Sequence, residues 1–144
     1  MGANLLVTAG LMSLGVALFH IVAAFSPALQ RRFGAPEGLM AAGPMVMGAA
    51  SLAMAAVFAV WGAYGFSGAG WLAELPLLAL GLLVIGAVYA LRGLLLVPQL
   101  LAAAGRLRGD IPTDRFSLAS SAISLTTGLL YLAGTAAAWS ALGA

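Results

Sequence analysis

Long apolar stretches alternate with short polar ones along the chain, and their lengths predict what they are. Residues 4–25, 44–64, 75–101 and 115–141 are each almost free of charge and each matches or exceeds the about 20 helical residues that a hydrocarbon core requires. Prolines and glycines punctuate them: Ser26-Pro27 closes the first, Gly43-Pro44 opens the second, Gly65–Glu74 separates the second from the third, and Pro76 stands at the start of the third. Pro36 fits a short interfacial turn, and Pro44 suits a first helical position. Asp114, just before the fourth stretch, is a helix-capping residue type in a capping position. The pattern predicts an all-α protein, an antiparallel bundle of four transmembrane helices joined by short connections, in a single integral membrane domain covering 1–144.

Composition strengthens this picture. Apolar residues make up 63% of the chain and charged residues 7%, against about 25% charged in a soluble domain. The six basic residues are all arginine, and a formal charge of +2 is too small for nucleic-acid binding. With no cysteine, disulfides, thiol redox chemistry and Cys-ligated clusters are excluded. No basic segment precedes the first apolar stretch, which reads as a full span and not as a signal peptide.

Arginines and tryptophans predict an orientation. Arg31, Arg32, Arg106, Arg108 and Arg115 lie in the connections after the first and third stretches, while the connection after the second has none. The positive-inside rule then places both basic connections in the cytoplasm and both termini on the periplasmic side of a bacterial inner membrane. Trp61, Tyr64, Trp71 and Trp139 map toward the opposite, outer face, as one half of an aromatic belt. Small residues at four-residue spacing (Ala9-Ser13-Ala17, Ser51-Ala55-Ala59-Ala63, Ser120-Ser124-Gly128) suit close helix packing in lipid.

Arg92 changes the picture, because it is the one charge that cannot be placed in a connection, and no acid shares its depth. A guanidinium near the bilayer centre costs about 2.5–3.5 kcal/mol on insertion scales. Three answers stay open: snorkelling to the inner headgroups, an internal network of hydroxyls and carbonyls, and a site for an anionic ligand or lipid headgroup. Because side chains lean toward a helix's N-terminus, Arg92 is expected to lean away from the cytoplasmic side. Pro98 should leave the carbonyl of Leu94 unpaired. Helical spacing puts Tyr89, Arg92 and Gln99 on one face of the third span, and Ser117, Ser120, Ser124, Thr127 and Tyr131 in one stripe on the fourth. With His20 of the first span, these form an expected polar seam in the inner half.

Each candidate has an ordinary structural reading beside the functional one. The serine stripe suits helix–helix contact, Tyr89 a core position, and His20 a bond to a neighbouring serine. As a haem ligand His20 would need a partner, and the chain has no second His, although a two-fold dimer could supply one and a few other axial ligands exist. Met40, Met45 and Met47 read as packing and not as a Cu(I) site. No catalytic constellation, metal-spaced cluster or phosphate- or dinucleotide-binding signature occurs, so a non-enzymatic protein without metal or cofactor is expected. The expected role is binding an anionic lipid or small ligand, or serving as an accessory subunit of a larger membrane complex. The alternative is a homo-oligomeric transporter or channel, since four spans enclose little room for a pore.

The stretches Tyr89-x-x-Arg92-Gly-x-Leu-x-x-Pro98-Gln99 and Phe116-Ser-Leu-Ala-Ser120 through Gly128-Leu-Leu-Tyr131-Leu-Ala-Gly134-Thr135 resemble small four-span proteins of proteobacterial inner membranes. In size the chain is similar to DoxX-like proteins and to small multidrug-resistance exporters. It departs from the exporters in having no acid in its first span, where they carry a proton-coupling glutamate; the resemblance implies no particular activity.

Overall fold

The computed structural model describes residues 1–32, 38 and 41–142. Its elements are α1 (Gly2–Ala24), α2 (Pro27–Arg32), α3 (Pro44–Gly68), α4 (Leu78–Gly93), α5 (Leu96–Ala103), α6 (Arg115–Ala138) and a 3-10 turn (Trp139–Ala141). The fold is all-α, with long apolar helices packed antiparallel. Four helical stretches, Gly2–Ala24, Pro44–Gly68, Leu78–Ala103 and Arg115–Ala141, are long and apolar enough to cross a membrane, which makes this a multi-pass helical membrane protein.

Several boundaries depart from the sequence reading, each for a local reason. The second span runs one turn further, through Gly68, because Gly65–Ser67 stays apolar enough to remain helical. Ser67 then organises the connection. Its hydroxyl donates to the Ala73 carbonyl at 2.8 Å and accepts from the Leu75 N–H at 3.1 Å, while the Tyr64 hydroxyl donates to the Pro76 carbonyl. The third span starts later, at Leu78, after Leu77 takes a left-handed conformation (φ 52°). The basic connection after the first span contains a short helix, α2, with Pro27 at its first position, where a missing N–H loses nothing. Pro36 and Met40 lie outside the described residues.

The chain forms two compact units, Met1–Ala9 with Tyr64–Ala144, and Gly10–Ala63. In the first, α4 and α6 meet at backbone distance. A Cβ on Gly93 would stand 2.3 Å from the Leu125 nitrogen, and one on Gly128 would stand 2.4 Å from the Ala90 nitrogen. Small residues at the crossing let two membrane helices approach this closely, which is how they gain contact when lipid offers no hydrophobic drive. Leu6 and Leu82 are fully buried around the same core, with Gly68, Gly134 and Gly81 making room for Leu6, Leu82 and Tyr64. In the second unit α1 and α3 run antiparallel: Gly62 packs on Leu14 and Gly10, and Gly48 on the Ala24 carbonyl. The Ala9-Ser13-Ala17 stripe is buried as its spacing predicts, whereas on α3 Ala55 is buried and Ala59 exposed.

Asp114 caps α6 as expected. Its carboxylate accepts from the Phe116 and Ser117 N–H groups, both at 3.0 Å, and from the Ser117 hydroxyl at 2.5 Å. The Ser117 hydroxyl, then the Ser117 N–H, hold the carboxyl below the ordinary aspartate range, with desolvation opposing them. A depressed carboxyl contributes its stabilisation above the unfolded-state pKa and loses it as pH falls through the folded value. Thermal stability in detergent is therefore expected to drop below about pH 4. Asp114→Asn, which keeps an acceptor but cannot titrate, should show a smaller drop; identical pH profiles would refute the assignment.

Candidate functional site

Gly93 and Gly128 set the register on which the Arg92 site depends. With Gly93 against Leu125, the Arg92 backbone stands about ten residues, or roughly 15 Å, inside the start of α6 at 1.5 Å per residue. The guanidinium does not stay at that level. Its Nη1 donates to the Ser121 hydroxyl at 3.0 Å and its Nη2 to the Ser120 hydroxyl at 3.1 Å. Those serines lie four and five residues nearer the start of α6 than Leu125, so the side chain runs about 6–7 Å toward the connection between the last two spans. The expected lean in the other direction is thus corrected. The ordinary preference of helical side chains is outweighed by two hydroxyl acceptors that lie at the other end of the guanidinium's reach.

Arg92 itself is exposed on the rim of the α4–α6 pair. A guanidinium has five N–H donors, and among the described residues these two hydroxyls are its only hydrogen-bond partners. No carboxylate among the described residues pairs with it. The internal network of hydroxyls is the arrangement seen: the stem runs toward the start of α6, and the two serines hold the head about 8–9 Å inside it.

The other candidate residues divide around this rim. Tyr89 and Tyr131 are buried and stacked, with ring centroids 6.1 Å apart and planes 10° from parallel. Thr127 is fully buried, and its hydroxyl donates back to the Ile123 carbonyl at 2.8 Å. Gln99 is buried too, so Tyr89 and Gln99 face inward while Arg92 stands beside that face instead of on it. On α6 the inward line runs through Ser121, Thr127, Gly128, Tyr131 and Thr135; Ser120 and Ser124 are half-buried at its edge. Ser121 is the residue that spacing arguments missed. A signal was present, since Ser120-Ser121 are adjacent and either could turn inward, but choosing between them requires the helix rotation.

The helix break after Arg92 also differs in detail from the expectation. Pro98 cannot donate, yet the Leu94 carbonyl is not left free: it accepts from the Val97 N–H at 3.1 Å. A tightened, 3-10-type bond restores the backbone pairing that Pro removes.

Gln99 is the exception to polar satisfaction. It is 4% exposed, and among the described residues its Oε1 is the buried side-chain atom without a hydrogen-bond partner. His20 belongs to the Gly10–Ala63 unit, where its ring stacks on Phe58 at 5.3 Å and meets the edge of Phe19; Phe58 in turn packs edge-on against Trp61. The expected serine bond to His20 is replaced by aromatic packing. Met47 is buried and Met45 is 87% exposed. No group of three or more His, Asp or Glu side chains among the described residues could hold a metal ion.

No protein family, curated protein or solved structure matches this chain.

Proposed function

We propose that this four-span protein is a non-enzymatic component of a bacterial inner membrane that holds the anionic headgroup of a lipid at Arg92. One observation carries the reading: a guanidinium on an exposed rim within an apolar span, fixed by Ser120 and Ser121, with no carboxylate partner among the described residues. Charge inside a membrane requires a counter-charge, and a phosphate can supply it while using the N–H donors that the serines leave. The serines supply geometry, since they aim the planar fork before any ligand arrives. The basic connections favour a cytoplasmic placement for this end, with both termini periplasmic. Tyr89, Gln99, Thr127 and Tyr131 form the packed wall behind the site, Ser124 its edge; His20 packs against Phe58 instead. A homo-oligomer or a larger complex would meet the same charge with a partner's acid instead of a phosphate.

Native mass spectrometry of the purified protein tests this directly. The wild type is expected to retain phosphatidylglycerol over phosphatidylcholine. Arg92→Leu should reduce that retention by about tenfold, the value of one charge-assisted bond. Ser120→Ala with Ser121→Ala should weaken it less, because the charge remains. Unchanged retention in Arg92→Leu would refute the lipid reading.

A further inference from the structure

A second candidate site lies wholly within the Gly10–Ala63 unit, at the polar turn between the first two spans. A cavity of about 220 Å³ opens there, lined by Pro27, Gln30, Arg31, Gly43, Pro44 and Met47. Its position between the end of α1 and the start of α3 is the level of lipid headgroups.

The lining carries donors and an acceptor that nothing else uses. Gln30 is 7% exposed, and its Nε2 donates to the Ala23 carbonyl at 2.8 Å. That bond determines which way the amide faces, because the reversed amide would set one carbonyl oxygen against another. Its Oε1 then has no partner among the described residues. Carried by a nine-tenths-buried residue on the cavity wall, that oxygen is not itself sealed off and can accept from a donor that enters the cavity. Arg31 is exposed, also without a partner among the described residues. The first turn of the 25-residue α3 adds further donors: Pro44 has no N–H, Gly43 has no side chain to cap with, and the Met45 and Val46 N–H groups bond no described acceptor. The positive end of the helix dipole points the same way. Met47, 5% exposed, contributes an apolar wall.

An anion alone would satisfy Arg31 and the amides but would leave the Gln30 oxygen unmatched. The complementary group is an anion with an N–H or O–H donor a short distance beyond it. We infer that this cavity seats a phosphodiester headgroup that ends in a hydrogen-bond donor, as in phosphatidylethanolamine. The phosphate lies on Arg31 and the first-turn amides of α3, and the ammonium donates to Gln30 Oε1. This site is independent of Arg92.

Phosphatidylethanolamine and phosphatidylcholine with matched acyl chains provide the test, because they share phosphate and net charge and differ in whether the terminal nitrogen can donate. In native mass spectrometry of the full chain, the wild type should retain phosphatidylethanolamine about fivefold better, the worth of one hydrogen bond. Gln30→Leu should abolish that preference, and Arg31→Ala, at an exposed position, should weaken retention of both lipids at least about fivefold. The preference should persist in Arg92→Leu, which separates this site from the one proposed above. Equal retention of the two lipids by the wild type would overturn the inference without any variant. So would a silent Arg31→Ala, or a preference that survives in folded Gln30→Leu. Inorganic phosphate that raised the melting temperature as much as phosphatidylethanolamine would make free phosphate the ligand and overturn the lipid assignment.

Discussion

Gly93→Ala is expected to lower stability by about 3 kcal/mol, at or beyond the upper end of ordinary overpacking. The added methyl would meet the Leu125 nitrogen at 2.3 Å and its Cα at 2.4 Å. Both obstacles are backbone, so no side-chain rotation relieves them, and the two helices must separate along their crossing. Gly128→Ala should act alike, with the Ala90 nitrogen at 2.4 Å and the Gly86 carbonyl oxygen at 2.8 Å. The two sites share one crossing, so the double variant should cost less than the sum of the singles. Gly15→Ala is the control: nothing lies within 4 Å of its would-be Cβ, and alanine favours a helix. Thermal unfolding in detergent measures all four. Equal melting temperatures for Gly93→Ala and Gly15→Ala would show that α4 and α6 do not meet at backbone distance. Separation should also carry Arg92 away from Ser120 and Ser121, so lipid retention should fall with stability.

Gln99→Leu is expected to do the opposite and raise stability, by about 1–3 kcal/mol, the desolvation penalty of an unsatisfied buried group. The side chain is 4% exposed with an unpartnered Oε1, and leucine fills a similar volume without a polar atom. A bilayer sharpens the contrast, since hydrocarbon offers no water to an orphaned carbonyl. The same variant tests whether Gln99 belongs to the lipid site. Register places it roughly opposite residue 119 of α6, six residues beyond the Gly93–Leu125 contact and near the depth of the guanidinium. If Gln99→Leu is more stable than wild type in detergent and retains phosphatidylglycerol equally, Gln99 takes no part in binding. A variant that melts lower in the presence of lipid would instead show that Oε1 is satisfied by a bound molecule.

What could be read from the chain depended on how far each interaction reaches. Asp114 was legible as a cap because its acceptor serves N–H groups two and three residues on. The burial of Ala9, Ser13 and Ala17 agrees with their spacing, yet the same spacing on α3 leaves Ala59 exposed, so a stripe of small residues does not by itself fix the inward direction. The charge of Arg92 and the lack of an acid at its depth were equally plain. Its partners were not. A helix turns by about 100° per residue, so exchanging Ser120 for Ser121 rotates the assignment by more than a quarter of a circle. That choice rests on Gly93 and Gly128, residues that spacing arguments credit only with general packing. The direction of the Arg92 side chain is hidden from the sequence for the same reason, because a rotamer tendency yields to acceptors that another helix supplies. Gln99 could be named as a polar residue in a span, but its orphaned oxygen is a property of surroundings contributed by other segments.

By itself, then, the sequence determined that the chain crosses a membrane as four helices, where the polar connections fall, which helix start is capped and which charge lacks a counter-charge. These follow from hydropathy, chain length and hydrogen bonds spanning a few residues, and none needs a neighbouring helix to be placed. Only the tertiary structure decided that Arg92 reaches Ser120 and Ser121, that Tyr89 stacks on Tyr131, and that Gln30 and Arg31 share a cavity with the first turn of α3. Those are contacts between segments far apart in sequence, set by helix register, and register follows from the few places where glycine lets one backbone touch another.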